Sequence, residues 1–427
     1  MPGSTRAVSP STAETAPNRF VTPVNSRTCP SGMVRSSAMA FPPSFRTRAR
    51  SPVSRAGNVG RVSPSDIAAE PVVLVRTVHR LGRLTLNRPH AINALDLPMI
   101  SLLSEALDAW EHDDDVVCVL LDGAGERGLC AGGDVRALRE HILSGRDGDV
   151  VAFFRAEYAL NARIAEYPKP IVVLADGVTM GGGIGLAGHA AIRVVTERSR
   201  LAMPETRIGL TPDVGGSWLL ARAPGRIGEY LALTGSTMDA ADAVYAGFAD
   251  HIVGVDRLDA LRDALSSPEG VRDPAALVRS MRVHPGEISI EASALARARG
   301  WIADAFAAET AAAIVARLRA RPEPEASAVA DTLEELSPTS LEVTLAAVRA
   351  ARGLPDLRAA LAQEYGLVLW LARTQPDLVE GIRAQLVDKD RSPRWQPPTL
   401  AEVESGIGAR ALAWTPPEAL WRRGGTR

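Results

Sequence analysis

Two glycine-rich loops carry the first chemistry this sequence could do: CAGGDVRAL (130–138) and MGGGIGL (180–186). Each follows an apolar run that reads as a buried strand, and each opens a helix-forming stretch. The first N–H groups of a helix have no intrahelical partner, and the helix dipole places partial positive charge there. Two such ends facing one point form an oxyanion hole from main-chain donors alone, the device that polarises a carbonyl in acyl transfer. Glycine suits both loops because a Cβ would block the approach of a flat acyl group. A rival chemistry is dinucleotide binding, since Gly183, Gly185 and Gly188 in GIGLAG match G-x-G-x-x-G formally. In that motif the first glycine sits in the turn directly after the strand. Here the strand IVVLA ends at Ala175 and residues 176–182 intervene, so the match is displaced by most of a loop. The acids downstream, Glu205 and Asp213 in LAMPETRIGLTPDVGG, read in isolation as a helix-start carboxylate and a turn former.

The elements that must position these residues alternate. EPVVLVRTVHRLGRLTLNRP reads as a hairpin around a Leu-Gly turn, and LDLPMISLLSEALDAWEHDDD as an amphipathic helix. VVCVLLDGAG is a buried strand, GLCAGGDVRALREHIL a glycine loop running into a helix, and DVVAFFRAEYALNARIAEYP another helix. KPIVVLADG is a strand, GGGIGLAGHAA a helix start, and AIRVVTERSRLAMPE two short strands. From about residue 256 the pattern is helical and rich in Ala, Leu and Arg, with a break at ARPEPEAS. This divides the chain into an α/β core over 68–255 and a helical region over 256–427.

The two loops and their surroundings resemble the enoyl-CoA hydratase/isomerase (crotonase) superfamily. LTLNRPHAINAL is similar to its first CoA-contacting segment, and GLCAGGDVRAL and ADGVTMGGGIGLA to its two oxyanion-loop segments. The resemblance spans about residues 70 to 400. It implies a crotonase-like α/β spiral of repeated β-β-α units, followed by a helical C-terminal region that covers the site or makes subunit contacts. It also implies oxyanion donors at the backbone N–H groups of Gly133 and Gly182. Ala131 and the turn holding Arg88, His90 and Ala91 would line the CoA adenine and phosphates, with Arg136 and Lys389 in reach of the phosphates. Trp218 would wall the acyl pocket or pack in the core.

Hydratases of the superfamily resemble one another in a glutamate three residues after the middle glycine of the second loop. Gly185 stands there in this chain, so the two-glutamate hydration apparatus is incomplete. MPETRIGLTPDVGG is closely similar to the signature of the 3-hydroxyisobutyryl-CoA hydrolases, a thioesterase branch. YLALTGSTMDAADAVYAGFADHIV, LSPTSLEVTL and EGIRAQLVDKDRSPRW extend the similarity. The branch implies that Glu205 attacks the thioester carbonyl or deprotonates a water, with Asp213 orienting water or a substrate hydroxyl, or sharing a proton. Glu157, in FFRAEYALN, would bind substrate. The implied reaction releases free acid and CoA from a short β-hydroxyacyl-CoA in valine breakdown. The rival outcomes are an isomerase or hydratase using Glu205 as acid/base, and a non-catalytic acyl-CoA-binding protein.

Composition narrows partners and compartment. A net charge of −2 gives no overall attraction to nucleic acid or membrane. No apolar run reaches the roughly 20 residues that span a bilayer. Three cysteines, none in a C-x-x-C pair, argue for a reducing compartment, and Cys130 reads as a small buried residue rather than a nucleophile. The histidines form no metal-ligand spacing, so no metal or cofactor is expected, CoA being part of the substrate. Residues 1–67 are rich in Ser, Pro, Thr and Arg, with Glu14 the only acid before Asp66, and read as a disordered or processed extension. The expected location is cytoplasmic, or the mitochondrial matrix if that extension is a transit peptide. A homo-oligomer is compatible with the helical region.

Overall fold

Val73–Val78 (β1) pairs antiparallel with Leu81–Leu86 (β2) as the sequence predicts, in a computed structural model that describes residues 70–283 and 292–421. The N-terminal extension of residues 1–67 lies outside the described residues. The chain reverses at His79, whose φ is 53°, and at Arg80, not at the Leu81-Gly82 pair. Gly82 sits inside β2 because Trp110 packs over it; a Cβ there would lie 2.6 Å from the indole.

The further strands are Cys118–Gly123 (β3), Ile171–Ala175 (β4), Val178–Met180 (β5), Ile192–Val195 (β6), Arg200–Ala202 (β7) and His251–Ile252 (β8). One sheet has the order β1-β2-β3-β4-β6-β8, parallel from β2 onward, while β5 and β7 pair in a second, two-stranded sheet. Along β3, Cys118 and Leu120 join one core with Val172 and Leu174, whereas Val119 and Leu121 join another with Ile171 and Val173. Burial on both faces at period two is what a parallel sheet covered by helices requires. Each Leu or Val so buried contributes about 2 kcal/mol.

The helices of the mixed half are Leu97–Glu111 (α1), Val135–Leu143 (α2), Asp147–Glu166 (α3), Gly182–Ala187 (α4), Gly216–Arg222 (α5), Ile227–Thr234 (α6) and Ala240–Tyr245 (α7). Asp96 caps α1 by accepting the Met99 N–H at 2.9 Å, and Met99, Ile100, Leu103, Leu107 and Trp110 form its buried stripe. The β1-β2-α1 and β4-β5-α4 runs are the expected β-β-α repeats.

After β8 come Leu258–Leu265 (α8), Pro268–Arg272 (α9), Pro274–Met281 (α10), Ala294–Ala305 (α11) and Ala311–Arg319 (α12). Pro324–Glu335 (α13), Pro338–Ala351 (α14), Leu357–Thr374 (α15), Asp377–Ile382 (α16) and Ile407–Ala413 (α17) complete the series. Leu258, Leu261 and Val278 close the Cys118–Leu120 face of the sheet. By contrast α15 packs on α3 and α5, and α16 on α2. The change to helix near residue 256 therefore falls inside one compact unit, Ala68–Arg427.

Candidate active site

The two glycine loops meet because backbone bonds stitch them together. Cys130 N–H donates to Val178 O at 3.1 Å and Met180 N–H to Cys130 O at 3.0 Å, while Gly133 is bridged to Leu95, whose N–H donates to Gly132 O and whose carbonyl accepts the Asp134 N–H, both at 2.8 Å. Gly132, with φ 108°, and Gly181, with φ 48° and ψ −119°, adopt backbone conformations that favour glycine. A Cβ on Gly182 would lie only 3.3 Å from Gly133 N, so the two amides are neighbours. Among the described residues, neither of these N–H groups donates to another group of the protein. Two free, adjacent amides are what an oxyanion site needs.

Carboxyl groups surround that point. Glu205 opens a 3-10 turn, Glu205–Ile208, directly after β7 and Pro204, and its Oε1 lies 3.1 Å from where a Gly181 Cβ would stand. Its Oε2 is buried without a partner, as is Oε1 of Glu157, which lies 2.5 Å from a Gly182 Cβ position. Asp213 Oδ2 accepts the Tyr158 hydroxyl at 2.6 Å. Burial, reinforced by the Asp213 charge, raises Glu205 and Glu157 well above the usual carboxylate range. Burial also pushes Asp213 up to about 6, against the pull of the Tyr158 hydroxyl. Such a group loses its protons as a coupled set, the charge on one carboxyl favouring the protonated form of the next.

A cavity of about 870 Å³ unites the site. Gly133, Gly182, Glu157, Glu205 and Asp213 line it together with Arg88, His90, Ala91, Ala131, Arg136 and Lys389, so six separated segments converge on it. Two side chains differ in detail from a simple phosphate contact. The Arg88 guanidinium is held by Asp96 at 3.0 Å and Asp134 at 3.6 Å, and Arg136 donates to Leu386 O at 2.7 Å. Trp218 does not wall the cavity; its ring carries the Arg222 guanidinium instead. Cys130 is buried, which pushes its thiol up to about 12 and leaves no nucleophilic thiolate.

The space beside Gly185 is filled. A Cβ there would lie 2.7 Å from Asn161 Nδ2 and 2.8 Å from Val214 Cβ, so no acid fits without displacing both. Three supporting residues escaped the sequence reading. Buried Asn93 ties the first segment to the first loop by donating to the carbonyls of Ala124, Gly128 and Leu129. Tyr158 steadies Asp213. Glu364, from α15, is fully buried and binds the turn after Asp213. The one available signal was an acid inside the apolar run of LAQEYGLVLW.

A parallel-rich sheet whose strand-to-helix loops bring two glycine amides together in a cavity with buried carboxyls is a crotonase-type arrangement. No helix among the described residues is long and apolar enough to cross a membrane. The chain belongs to the enoyl-CoA hydratase/isomerase family, whose model matches residues 81–410. It is similar to the mitochondrial 3-hydroxyisobutyryl-CoA hydrolase of Danio rerio, at 40% identity over 78% of this chain and 86% of that protein. The Homo sapiens protein of the same name is 37% identical over 80% of this chain and 88% of its own. Among solved structures, a carnitinyl-CoA dehydratase from Mycobacterium thermoresistibile aligns with a TM-score of 0.77 at 45% identity, covering 83% of this chain and 99% of that one. An enoyl-CoA hydratase from Rhodobacter sphaeroides gives 0.75 at 42% identity, covering 82% and 100%.

Proposed function

We propose that this chain hydrolyses 3-hydroxyisobutyryl-CoA, or a similar short β-hydroxyacyl-CoA, to the free acid and CoA. One observation carries the reading. The free amides of Gly133 and Gly182 share one cavity with Glu205, whose Oε1 stands 3.1 Å from a Cβ position on the adjoining Gly181, while Asn161 and Val214 occupy the place a second hydration acid would need. The two amides polarise the thioester carbonyl and stabilise the tetrahedral oxyanion, each at about 3 kcal/mol. The Glu205 carboxylate forms when the shared proton rests on Asp213. It then adds to the carbonyl carbon, or takes a proton from water that adds instead. Collapse of the oxyanion breaks the C–S bond, and the shared proton goes to the departing thiolate. If the intermediate is an anhydride, water cleaves it and regenerates Glu205. Asp213 and Glu157, polar against Phe154 and Leu210, suit a substrate hydroxyl on a short acyl chain. CoA is part of the substrate in this reading, and no cofactor takes part.

The test is a panel of short 3-hydroxyacyl-CoA thioesters followed with a thiol reagent. We expect thiol release, falling by about 10²–10⁴-fold in Glu205→Gln with the fold retained. Consumption of the acyl-CoA without thiol would identify an isomerase, or a hydratase or dehydratase, the last two being the chemistries named for the two structural relatives. Cytoplasmic location and self-association are separate expectations, read by fractionation and light scattering. The mitochondrial label belongs to the vertebrate relatives.

A further inference from the structure

Glu364 is a charged residue type placed by α15 in an otherwise apolar stretch, on the far side of the Asp213 turn from the substrate cavity. Its Oε2 accepts the Gly215 N–H at 2.7 Å, and its Oε1 accepts the Ser217 N–H at 2.8 Å and the Ser217 hydroxyl at 2.5 Å. We infer that Glu364 is a positioning residue for the hydrolysis: it holds the turn after Asp213 in the strained conformation that presents the Asp213 carboxyl to the cavity. The inference rests on the role given to Asp213 under the proposed function.

The strain is visible in the backbone. Val214 has φ 52° and Gly215 φ 79°, and a β-branched residue in the left-handed region is a true outlier. Such conformations persist only where their surroundings over-determine them. Here the surroundings come from three sides. Glu364 binds the amides that follow Val214, and Tyr158 binds the Asp213 carboxyl. His189 Nε2 lies 2.8 Å from Val214 O. Burial draws His189 down to about 4, so the imidazole is neutral and donates from Nε2. Removing Glu364 would strand two buried N–H groups and free the turn to relax. Glutamine cannot replace it, because its single carbonyl oxygen meets donors at both ends and its NH2 must face one of them.

A residue that merely stabilised the fold would lower the melting temperature and leave kcat alone. A positioning residue lowers kcat with little change in KM, and its loss is partly repaired by relieving the strain it opposes. We therefore expect Glu364→Gln to reduce kcat for thiol release by about 100-fold, the scale of an ångström misplacement. Val214→Gly should raise kcat in the Glu364→Gln background by about 10-fold more than in the wild type, since glycine accepts the left-handed turn freely. A kcat within threefold of wild type, or no such extra gain from Val214→Gly, overturns the inference while leaving the proposed function standing. Absence of thiol release by the wild type removes both. Should Glu364→Gln fail to fold, Ser217→Ala deletes one donor and keeps the carboxyl group; an unchanged kcat there overturns the inference equally.

Discussion

Asp213 holds its proton longer than an exposed aspartate would, and the reason lies in two opposed effects. Burial pushes its pKa up to about 6, and the hydroxyl of Tyr158, 2.6 Å away, favours the charged form and limits the rise. Removing that hydroxyl must move the pKa further up, so in Tyr158→Phe the carboxyl set takes up a further proton, beyond the shared one, at higher pH. We expect the acid limb of its kcat/KM profile to lie at higher pH than the wild type's, with the two curves converging on the alkaline side. An unmoved limb would show that Tyr158 packs without tuning the acid. Glu205 and Asp213 were legible in MPETRIGLTPDVGG because a short loop carries both. Tyr158 was not, although it adjoins Glu157, because its bond to Asp213 closes only when α3 meets the turn before α5.

At the scale of elements, the two glycine loops, equivalent in the proposed reaction, differ in tolerance. A methyl group at Gly182 would stand 2.5 Å from Glu157 Oε1 and 3.3 Å from Gly133 N, pressed between a buried acid and the other loop. At Gly133 it would meet the end of the Phe153 ring at 3.0 Å, and a ring at the cavity wall can give way. We expect Gly182→Ala to lower kcat by about 10²–10³-fold, as loss of an oxyanion donor does. Gly133→Ala should cost less, and equal losses in the two variants would contradict the geometry. Most elements were readable, since β3 and β4 are continuous apolar runs and α1 has its cap and stripe. The hairpin turn was misplaced by Gly82, which serves Trp110 rather than the reversal. β5 stayed hidden in the loop because three residues carry too little periodicity, yet it joins the two loops. The C-terminal helices were legible as helices, but nothing in their pattern located Glu364 beneath the Asp213 turn.

For the whole molecule, a set of buried acids with raised pKa values sets the direction of its pH stability. Glu157, Glu205 and Glu364 share the shift with Asp213, and burial takes Glu364 to about 8 against the pull of Ser217 and Gly215. In the unfolded chain all four ionise near the ordinary carboxylate values. Between those values and the folded ones the native state binds more protons, so its stability falls as pH rises. The contribution is fully present below about pH 4 and is lost as pH climbs through about 6 for Asp213 and about 8 for Glu364. Asp250 and Glu380, paired with arginines and drawn downward, act oppositely, but only at the acid end. We therefore expect the melting temperature to decline from pH 5 to pH 8 and Asp213→Asn to flatten the decline. The amide removes one titration and relieves Glu205 and Glu157 of a neighbouring charge. A melting temperature that rises across this interval, or an Asp213→Asn slope equal to the wild type's, would mean the four acids do not hold their protons in the folded protein. The shared proton on which the proposed thiolate release depends would then have no source.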